Sequence, residues 1–371
     1  MDLQLLAANI KRLRTTKKLS QKELAEKAGL SLPAIKKIES GSNPPRVSTL
    51  QDIAQALTVK LQELFVPVPT LSSVRFRAKK KVQGREQILT DVTRWLNDFA
   101  FLEETLGEKQ RFRLADIVLR AGSVSVSPEA IALQAREILG LKPQEPIYDI
   151  CGLIEHAGIK VLPYEYASDS FFGLSIGEAD NGPAIIVNNW DRLSTERQIF
   201  SAAHELGHLL MHLGGFSTAE ETENDIEERE ADLFAGHFLM PEAGFKLEWQ
   251  DTAGLHFVDR VMKVKRIFRV SYKTVLRRLL DMKVVDEKIW MKFQMVYQRR
   301  FNKKLTFKEE PFSEGAEPFG MQKFDFFEDR LSRLVKKAVD TDAISMSRGA
   351  EILNVSIEEA QELLSDWEVV A

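Results

Sequence analysis

Two histidines, His204 and His208 in the stretch AHELGHLLMH, constrain the fold of this chain most, because their spacing places both on one face of a helix. At about 100° per residue they are about 40° apart and one turn apart along the axis, so both imidazoles can reach one ion. Glu205 lies beside them. Zinc binds imidazole nitrogen and acidifies water, and a neighbouring carboxylate can accept the proton. The pattern predicts a hydrolytic zinc site on a helix over about 196–213, with Glu205 as general base.

The third ligand is predicted on a second helix, IEEREADLFAGHFLMP, which Pro241 ends. Glu228 and Asp232 are four residues apart and share a face of this helix. Ala231 and Ala235 are small enough to let that face approach the first helix. We therefore predict that Glu228 binds the metal and that Asp232 hydrogen-bonds a ligand histidine without touching the ion. For Asp232, a simple surface acid is the alternative.

Two other residues compete for roles at this site. Glu230 falls on the opposite side of the second helix from Glu228, so we expect its replacement to leave zinc binding unchanged. His212 lies one turn beyond His208 and about 12 Å along the helix from His204. We therefore predict a structural or surface role for His212 rather than ligation. The alternative for the whole site is a helix with ordinary polar residues.

The N-terminal stretch LSQKELAEKAGLSLPAIKKIESG predicts two short helices joined by a tight turn. Ser20 and Glu23 form a capping box for the first helix, which Gly29 ends, and Ser31 caps the second, which Gly41 ends. The apolar positions at helical spacing predict a shared core: Ile10, Leu13, Leu24, Ala28, Leu32, Ile35, Ile38, Leu50, Ile53, Ala54 and Leu57. Two helices in this arrangement can present the second helix to the major groove of DNA.

Residues 6–65 resemble the Cro/C1-type repressor family of helix-turn-helix proteins. The resemblance implies that Gln21 and the exposed side of the second helix contact duplex DNA. That side carries Ser31, Pro33, Ala34, Lys36, Lys37 and Ser40. Lys36 and Lys37 are candidate phosphate anchors, whereas Pro33 and Ala34 are poor hydrogen bonders, so no bidentate base contact is assigned. The alternative is a helix-turn-helix that docks onto another protein.

Charge is distributed unevenly along the chain. Residues 1–66 hold 11 basic and 6 acidic residues, and 67–85 add 6 basic residues and no acid. The first 85 residues therefore carry +11 and the remainder −15, for a total of −4. A basic head on an acidic body indicates that the head binds a polyanion. The segment with Pro67 and Pro69, followed by a basic run from Arg75 to Lys81, is predicted to be a linker. Its basic side chains are either solvated or in contact with DNA phosphates.

The stretches GIKVLP, FFGLSIGE and PAIIVNN predict a small antiparallel sheet before the zinc helix. With RQIFSAAHELGHLLMH and EREADLFAGHFLMP, residues 145–300 resemble the ImmA/IrrE family of zinc metallopeptidases. The resemblance implies a zincin-like fold in which His204, His208 and Glu228 bind Zn²⁺ and Glu205 is the general base. Related members cut helix-turn-helix repressors, and members fused to a Cro/C1-type head are common.

The predicted fold class is α+β and mostly helical. Four segments follow: a helix-turn-helix domain (1–66), a basic linker and helical spacer (67–145), a metallopeptidase domain (146–300) and an acidic helical module (301–371). The last module contains another helix-turn-helix pattern, but its negative charge repels phosphate, so we predict a docking or folding role.

The sequence predicts a DNA-binding regulator with a zinc endopeptidase that cuts a helix-turn-helix repressor or the chain itself. A repressor whose zinc domain senses a signal without proteolysis is the alternative, and Glu205 argues against it because metal binding alone needs no base. A general degradative peptidase would leave the basic head unexplained. The single cysteine, Cys151, excludes a disulfide framework. With no apolar run long enough to span a bilayer, we expect a cytoplasmic protein without membrane partners. A homodimer is a separate expectation.

Overall fold

The computed structural model describes residues 3–17, 19–65, 71, 73–78, 84–121, 126–168, 170–213, 216, 224–305 and 317–365. The chain divides into two compact units. The first comprises Met1–Leu71 with Gln83–Asn97, and the second comprises Ser72–Val82 with Asp98–Ala371. Within the described residues, no helix is both long and apolar enough to cross a membrane.

The first unit is entirely helical in its described part. Its elements are α1 (Leu3–Thr16), α2 (Gln21–Lys27), α3 (Leu32–Glu39), α4 (Val47–Leu57), a 3-10 turn (Leu61–Leu64) and the start of α5 (Arg85–Leu106). Ser20 and Glu23 form the predicted capping box at α2, and Ser31 caps α3 through the backbone N–H of Ala34. The predicted apolar positions are buried except Leu32, which is half-buried. The helix-turn-helix prediction is confirmed.

The second unit contains a four-stranded sheet with the strand order β1-β3-β4-β2. The strands are β1 (Val74–Ala78), β2 (Lys160–Tyr164), β3 (Phe171–Ile176) and β4 (Ala184–Asn188). β3 pairs antiparallel with β1 and β4, but β2 and β4 are parallel. The sheet is therefore mixed, and the prediction of an antiparallel sheet is wrong. The reason is that β4 lies between β3 and β2 and runs in the same direction as β2.

Strand β1 lies in the stretch that was predicted to be a basic linker. Its five residues pair with β3, from Val74 opposite Ile176 to Ala78 opposite Phe171. The register shifts between Arg77 and Ala78. Pro67, Pro69 and the lysines at 79–81, which belong to the same predicted linker, lie outside the described residues.

Helices make up most of the second unit, as predicted for a mostly helical α+β fold. They are the end of α5, α6 (Ala115–Ala121), α7 (Pro128–Ile138), α8 (Ile150–His156), α9 (Thr195–Met211), α10 (Asp225–Leu239), α11 (Glu242–Asp251), α12 (Phe257–Phe268), α13 (Tyr272–Asp281), α14 (Ile289–Phe301), α15 (Arg330–Asp340), α16 (Met346–Leu353) and α17 (Ile357–Ser365). Ser194 caps α9, which ends two residues before the predicted limit of 213.

Helix α9 is the centre of this unit. It packs on β3 and β4 on one side and on α10 on the other. All but three of its residues are buried, which explains the apolar run around its histidines. Glu196 in its first turn forms a buried ion pair with Lys265 of α12 and accepts a hydrogen bond from the backbone of Met321 at 3.0 Å. These contacts fix the start of the helix that carries the predicted zinc ligands.

A buried carboxyl on α8 makes the stability of this unit depend on pH. Burial, reinforced by the charges of Glu328 and Asp329, raises the pKa of Glu155 from 4.5 to about 8. A carboxyl with a raised folded-state pKa contributes stability below its unfolded pKa and loses that contribution as pH rises through the folded pKa. The window is therefore about pH 4.5 to 8, and Glu155 disfavours folding at neutral pH.

Replacing Glu155 by Gln removes this titration. We expect Glu155→Gln to be more stable than the wild type by about 3 kcal/mol at pH 7, with the difference vanishing near pH 4.5. Thermal unfolding across pH 4.5 to 8 measures it, with exposed Glu137→Gln on α7 as the matched control. Stability curves of wild type and Glu155→Gln that run parallel over this range would contradict the assignment.

Candidate metal centre and nucleic-acid interface

Helices α9 and α10 bring the three predicted metal ligands together. The Nε2 atoms of His204 and His208 lie 2.9 Å apart. The Glu228 carboxylate lies across them, with Oε2 at 3.2 Å from His204 Nε2 and Oε1 at 3.1 Å from His208 Nε2. Both imidazoles are 0% exposed, and Glu228 is half-buried. The three side chains form a group that can hold a metal ion.

The donor set fits zinc. Two imidazole nitrogens and one carboxylate form a common catalytic zinc set, and they leave a fourth position for water. Ligand atoms at about 2.0–2.1 Å from a tetrahedral ion are about 3.3 Å apart, close to the separations of 2.9–3.2 Å between these atoms. A zinc ion therefore requires only a few tenths of an ångström of adjustment.

Asp232 orients the first histidine. Its Oδ1 lies 2.8 Å from Nδ1 of His204, and an ionised carboxylate only accepts hydrogen bonds. The ring proton of His204 is therefore on Nδ1, which leaves the lone pair of Nε2 directed at the ion site. The structure places Asp232 beside the predicted ligand His204 and outside the group that can hold a metal ion.

The second histidine is oriented by a chain of two residues. His208 Nδ1 lies 2.9 Å from His212 Nδ1, and His212 Nε2 lies 2.9 Å from Glu230 Oε2. Since Glu230 accepts from His212 Nε2, a neutral His212 accepts at Nδ1 and His208 donates from Nδ1. Burial lowers the pKa of His208 to about 3, so its ring is neutral. Nε2 of His208 is then free for metal.

These two hydrogen bonds bear on the expectations for Glu230 and His212. Glu230 was expected to play no part, but its long side chain reaches His212 at the end of α9, which a helical wheel of Cβ directions does not show. His212 is 8% exposed and hydrogen-bonds the predicted ligand His208, which agrees with the structural one of the two roles expected for it. Both residues lie outside the set that can hold the ion.

Strand β3 positions the predicted base. Ser175 Oγ donates to Glu205 Oε2 at 2.5 Å. A Cβ on Gly173 would lie 2.9 Å from Glu205 Oε1 and 2.8 Å from the carbonyl oxygen of Ile186, so only glycine leaves room for this carboxylate. Sequence reasoning did not assign either role, although a serine and a glycine inside the apolar run FFGLSI are its available signal.

Close packing of α10 on α9 depends on Gly207. A Cβ on Gly207 would lie 3.0 Å from the ring of Phe234, tighter than ordinary van der Waals contact. Ala231 and Ala235 of α10 are fully buried, in agreement with the predicted close approach of the two helices. Small side chains between the helices thus let Glu228 reach both histidines.

We expect loss of the His212 contact to weaken zinc binding. His212→Ala leaves His208 without the acceptor that fixes its tautomer, and losses of this kind reduce metal affinity by about 10- to 100-fold. Glu230→Ala should have a smaller effect in the same direction, whereas Glu230→Gln retains an acceptor oxygen and should bind zinc nearly as the wild type does. A competition titration against a coloured chelator measures each affinity.

The control for that titration is His256→Ala, which removes an exposed histidine at the start of α12. Equal zinc affinities for His212→Ala, His256→Ala and the wild type would show that His212 does not support the metal site.

The predicted DNA-contacting residues lie at the beginning of α2 and along α3. Ser31, Pro33, Lys36, Lys37 and Ser40 are exposed, and Ala34 is half-buried. The hydroxyls of Ser31 and Ser40 are engaged locally, the first as the cap of α3 and the second with the carbonyl of Lys37. The two lysines are thus the charged groups on an exposed helix face.

Gln21 is half-buried and hydrogen-bonded within the first unit. Its Nε2 donates to Glu39 Oε2 at 2.7 Å, and Arg14 donates to Glu39 Oε1 at 2.6 Å. In this arrangement Gln21 links α2 to α3, and its contact with DNA stays a prediction.

Two family profiles match the chain. One, described as "Helix-turn-helix", covers residues 10–64, and the other, described as "IrrE N-terminal-like domain", covers residues 154–280. The second is a metallopeptidase-type family. The matches confirm the two resemblances read from the sequence.

Individual relatives match as well. An uncharacterized HTH-type transcriptional regulator, y4dJ, of Sinorhizobium fredii is 40% identical over 68 residues, which are 18% of this chain and 88% of that protein. A second, YqaE of Bacillus subtilis, is 33% identical over 85 residues, 23% of this chain and 73% of that protein. The crystal structure of Bacillus thuringiensis PlcR in complex with the peptide PapR7 and DNA matches with 13% identity over 98% of this chain and 93% of that one; its TM-score of 0.16 is too low to indicate a common fold.

Proposed function

We propose that this chain, which belongs to the HTH-type transcriptional regulators and carries an IrrE N-terminal-like domain, is a zinc-dependent endopeptidase as well as a DNA-binding regulator. Its proposed substrate is a regulatory protein, either a helix-turn-helix repressor or the chain itself. The proposed location is the cytoplasm, where duplex DNA is accessible, and a homodimer is a further prediction.

The observation that carries this proposal is the meeting of His204, His208 and Glu228 beside Glu205. Three ligands leave one position of a tetrahedral zinc open, whereas structural zinc sites close all four. The buried carboxylate of Glu205, one residue after a ligand and held by Ser175, has no role in metal binding alone. Both features favour hydrolysis over a purely structural or sensory metal.

Each residue has a role in peptide hydrolysis. When bound, zinc acidifies a water molecule and polarises the scissile carbonyl group. Glu205 accepts the proton of the attacking water and can return it to the leaving amine. Asp232 and His212 hold the rings of His204 and His208 so that Nε2 of each faces the ion. Ser175 keeps the base oriented while it carries the proton.

Mass spectrometry of mixtures tests the proposal. The full chain, loaded with zinc, is incubated with candidate helix-turn-helix repressors, and fragments of both proteins are identified. We expect discrete cuts that disappear with a chelator and with Glu205→Gln. The absence of any zinc-dependent cut in candidate repressors and in the chain itself would reject the peptidase proposal.

DNA binding by the intact chain should fall steeply as salt rises, because lysine contacts to phosphate release counterions. Replacing both Lys36 and Lys37 by Ala should lower affinity for all duplexes and reduce the slope of log K against log salt by about 1 per lost contact. Filter binding or anisotropy across a salt series measures this. Lys292→Ala, an exposed lysine of the second unit, is the control. An unchanged slope after both replacements would remove these lysines from the interface.

A further inference from the structure

The edge of β3 lies directly beside the proposed base. Gly173 and Ser175 of β3 both face Glu205. One side of β3 pairs with β4, so the other side is the edge that an extended peptide can join by backbone hydrogen bonds. A peptide paired there would run along the strand that holds Glu205.

That edge is occupied by β1 of the same chain. Residues 74–78 pair antiparallel with β3, with Arg75 opposite Ser175. Opposite residues of an antiparallel pair have their side chains on the same face of the sheet. Arg75 therefore projects toward the face that carries Glu205 and the metal ligands.

Arg75 forms ion pairs at the metal centre itself. Its guanidinium is bonded to Glu227 and lies 3.5 Å from Oε1 of the proposed ligand Glu228. The Arg75 side chain is 10% exposed, while His204, Glu205 and His208 have no exposed surface. A scissile peptide bond cannot reach side chains that have no exposed surface, so a neighbouring segment must move before hydrolysis. Strand β1 is such a segment, because its Arg75 contacts a proposed ligand.

The occupying strand comes from outside the IrrE-like domain. That domain matches residues 154–280, and the helix-turn-helix matches 10–64, so β1 belongs to the stretch between them. Every other strand of the described sheet lies within 154–280. A strand supplied by the connecting stretch can leave while β3 and β4 remain paired.

We infer that β1 occupies the place of the substrate backbone, and that the peptidase takes an extended peptide with arginine at the position of Arg75. This inference rests on the proposed function. The carboxylate of Glu227, which lies outside the proposed ligand set, supplies the charge that selects arginine. Backbone pairing with β3 supplies the remaining binding energy of the peptide. Residues 74–78 thus block the site until they are displaced.

The test measures peptide binding by the full chain. The probe is a fluorescein-labelled peptide with the sequence of residues 72–80, SSVRFRAKK, and all proteins carry Glu205→Gln so that binding is measured without hydrolysis. Adding Arg75→Ala removes the ion pairs, and adding Arg77→Pro removes a backbone donor of β1 while keeping Arg75. We expect either change to tighten peptide binding by about tenfold or more, the size of a lost charged hydrogen bond.

Two controls define the specificity of this binding. Adding Arg333→Ala, which breaks an exposed ion pair on α15, should leave peptide affinity unchanged. A peptide with alanine in place of the arginine at position 75 should bind about tenfold more weakly than the original. Zinc content is measured for every variant, so that a change in metal loading is not mistaken for release of β1.

Unchanged peptide affinity in both the Arg75→Ala and Arg77→Pro proteins would overturn the inference, as would equal binding of the alanine peptide. Failure of the proposed function gives a different result. A chain with intact Glu205 and Arg75→Ala that captures the peptide but cuts nothing would keep the strand site and reject the peptidase. Cleavage of a repressor, together with unchanged peptide binding in the β1 variants, would support the peptidase proposal and reject the strand site.

Discussion

Glu205→Gln should reduce zinc-dependent cleavage by about 10² or more while zinc stays bound. The substitution keeps the size of the side chain and removes its proton acceptor, and the loss of a general base costs rates of this order. Ser175 can still donate to the amide oxygen of glutamine, so the packing against β3 is retained. Single-turnover cleavage of the substrate identified by mass spectrometry measures the rate, and metal analysis gives the zinc content.

The matched control for this substitution is Glu137→Gln, an exposed glutamate on α7, which should cut at the wild-type rate. Cleavage by Glu205→Gln at the wild-type rate would show that the proposed mechanism is wrong. In cells, the Glu205→Gln protein should still occupy DNA but fail to relieve repression. Normal derepression with this protein would instead favour a zinc domain that senses a signal.

Glu228→Ala should lower zinc affinity by more than about 100-fold. Residues that merely orient a ligand account for about 10- to 100-fold in affinity, and Glu228 is proposed to contribute a ligand atom itself. With two histidines left, the site lacks the negative charge that lies 3.1–3.2 Å from both rings. Chelator competition measures the affinity, and the increase in Tm on adding zinc should shrink because less zinc is bound to the folded state.

Asp225→Ala is the matched control, since Asp225 is an exposed acid in the first turn of the same helix. Glu230 is unsuitable as a control because it is bonded to His212. Equal zinc occupancy in Glu228→Ala and wild type at limiting zinc would remove Glu228 from the ligand set.

Local sequence determined the helices of the first unit and which side chains of α9 share a face. Helical spacing placed His204 and His208 on one face, and the capping residues Ser20 and Ser31 marked where α2 and α3 begin. Such features depend on residues within one or two turns, where geometry is fixed by the helix itself. The prediction of Glu228 as a ligand needed one further assumption. The face of α10 that carries the small residues Ala231 and Ala235 had to pack against α9.

Only the tertiary structure decided which distant segments meet. The direction of β2 relative to β4 and the entry of residues 74–78 into the sheet depend on backbone pairing between segments far apart in sequence, which alternation of apolar residues does not encode. The contacts of His212 with Glu230 and of Ser175 with Glu205 likewise require two elements to be placed within hydrogen-bond reach. Periodicity gives the direction of a Cβ atom, whereas packing determines what the end of a long side chain can touch.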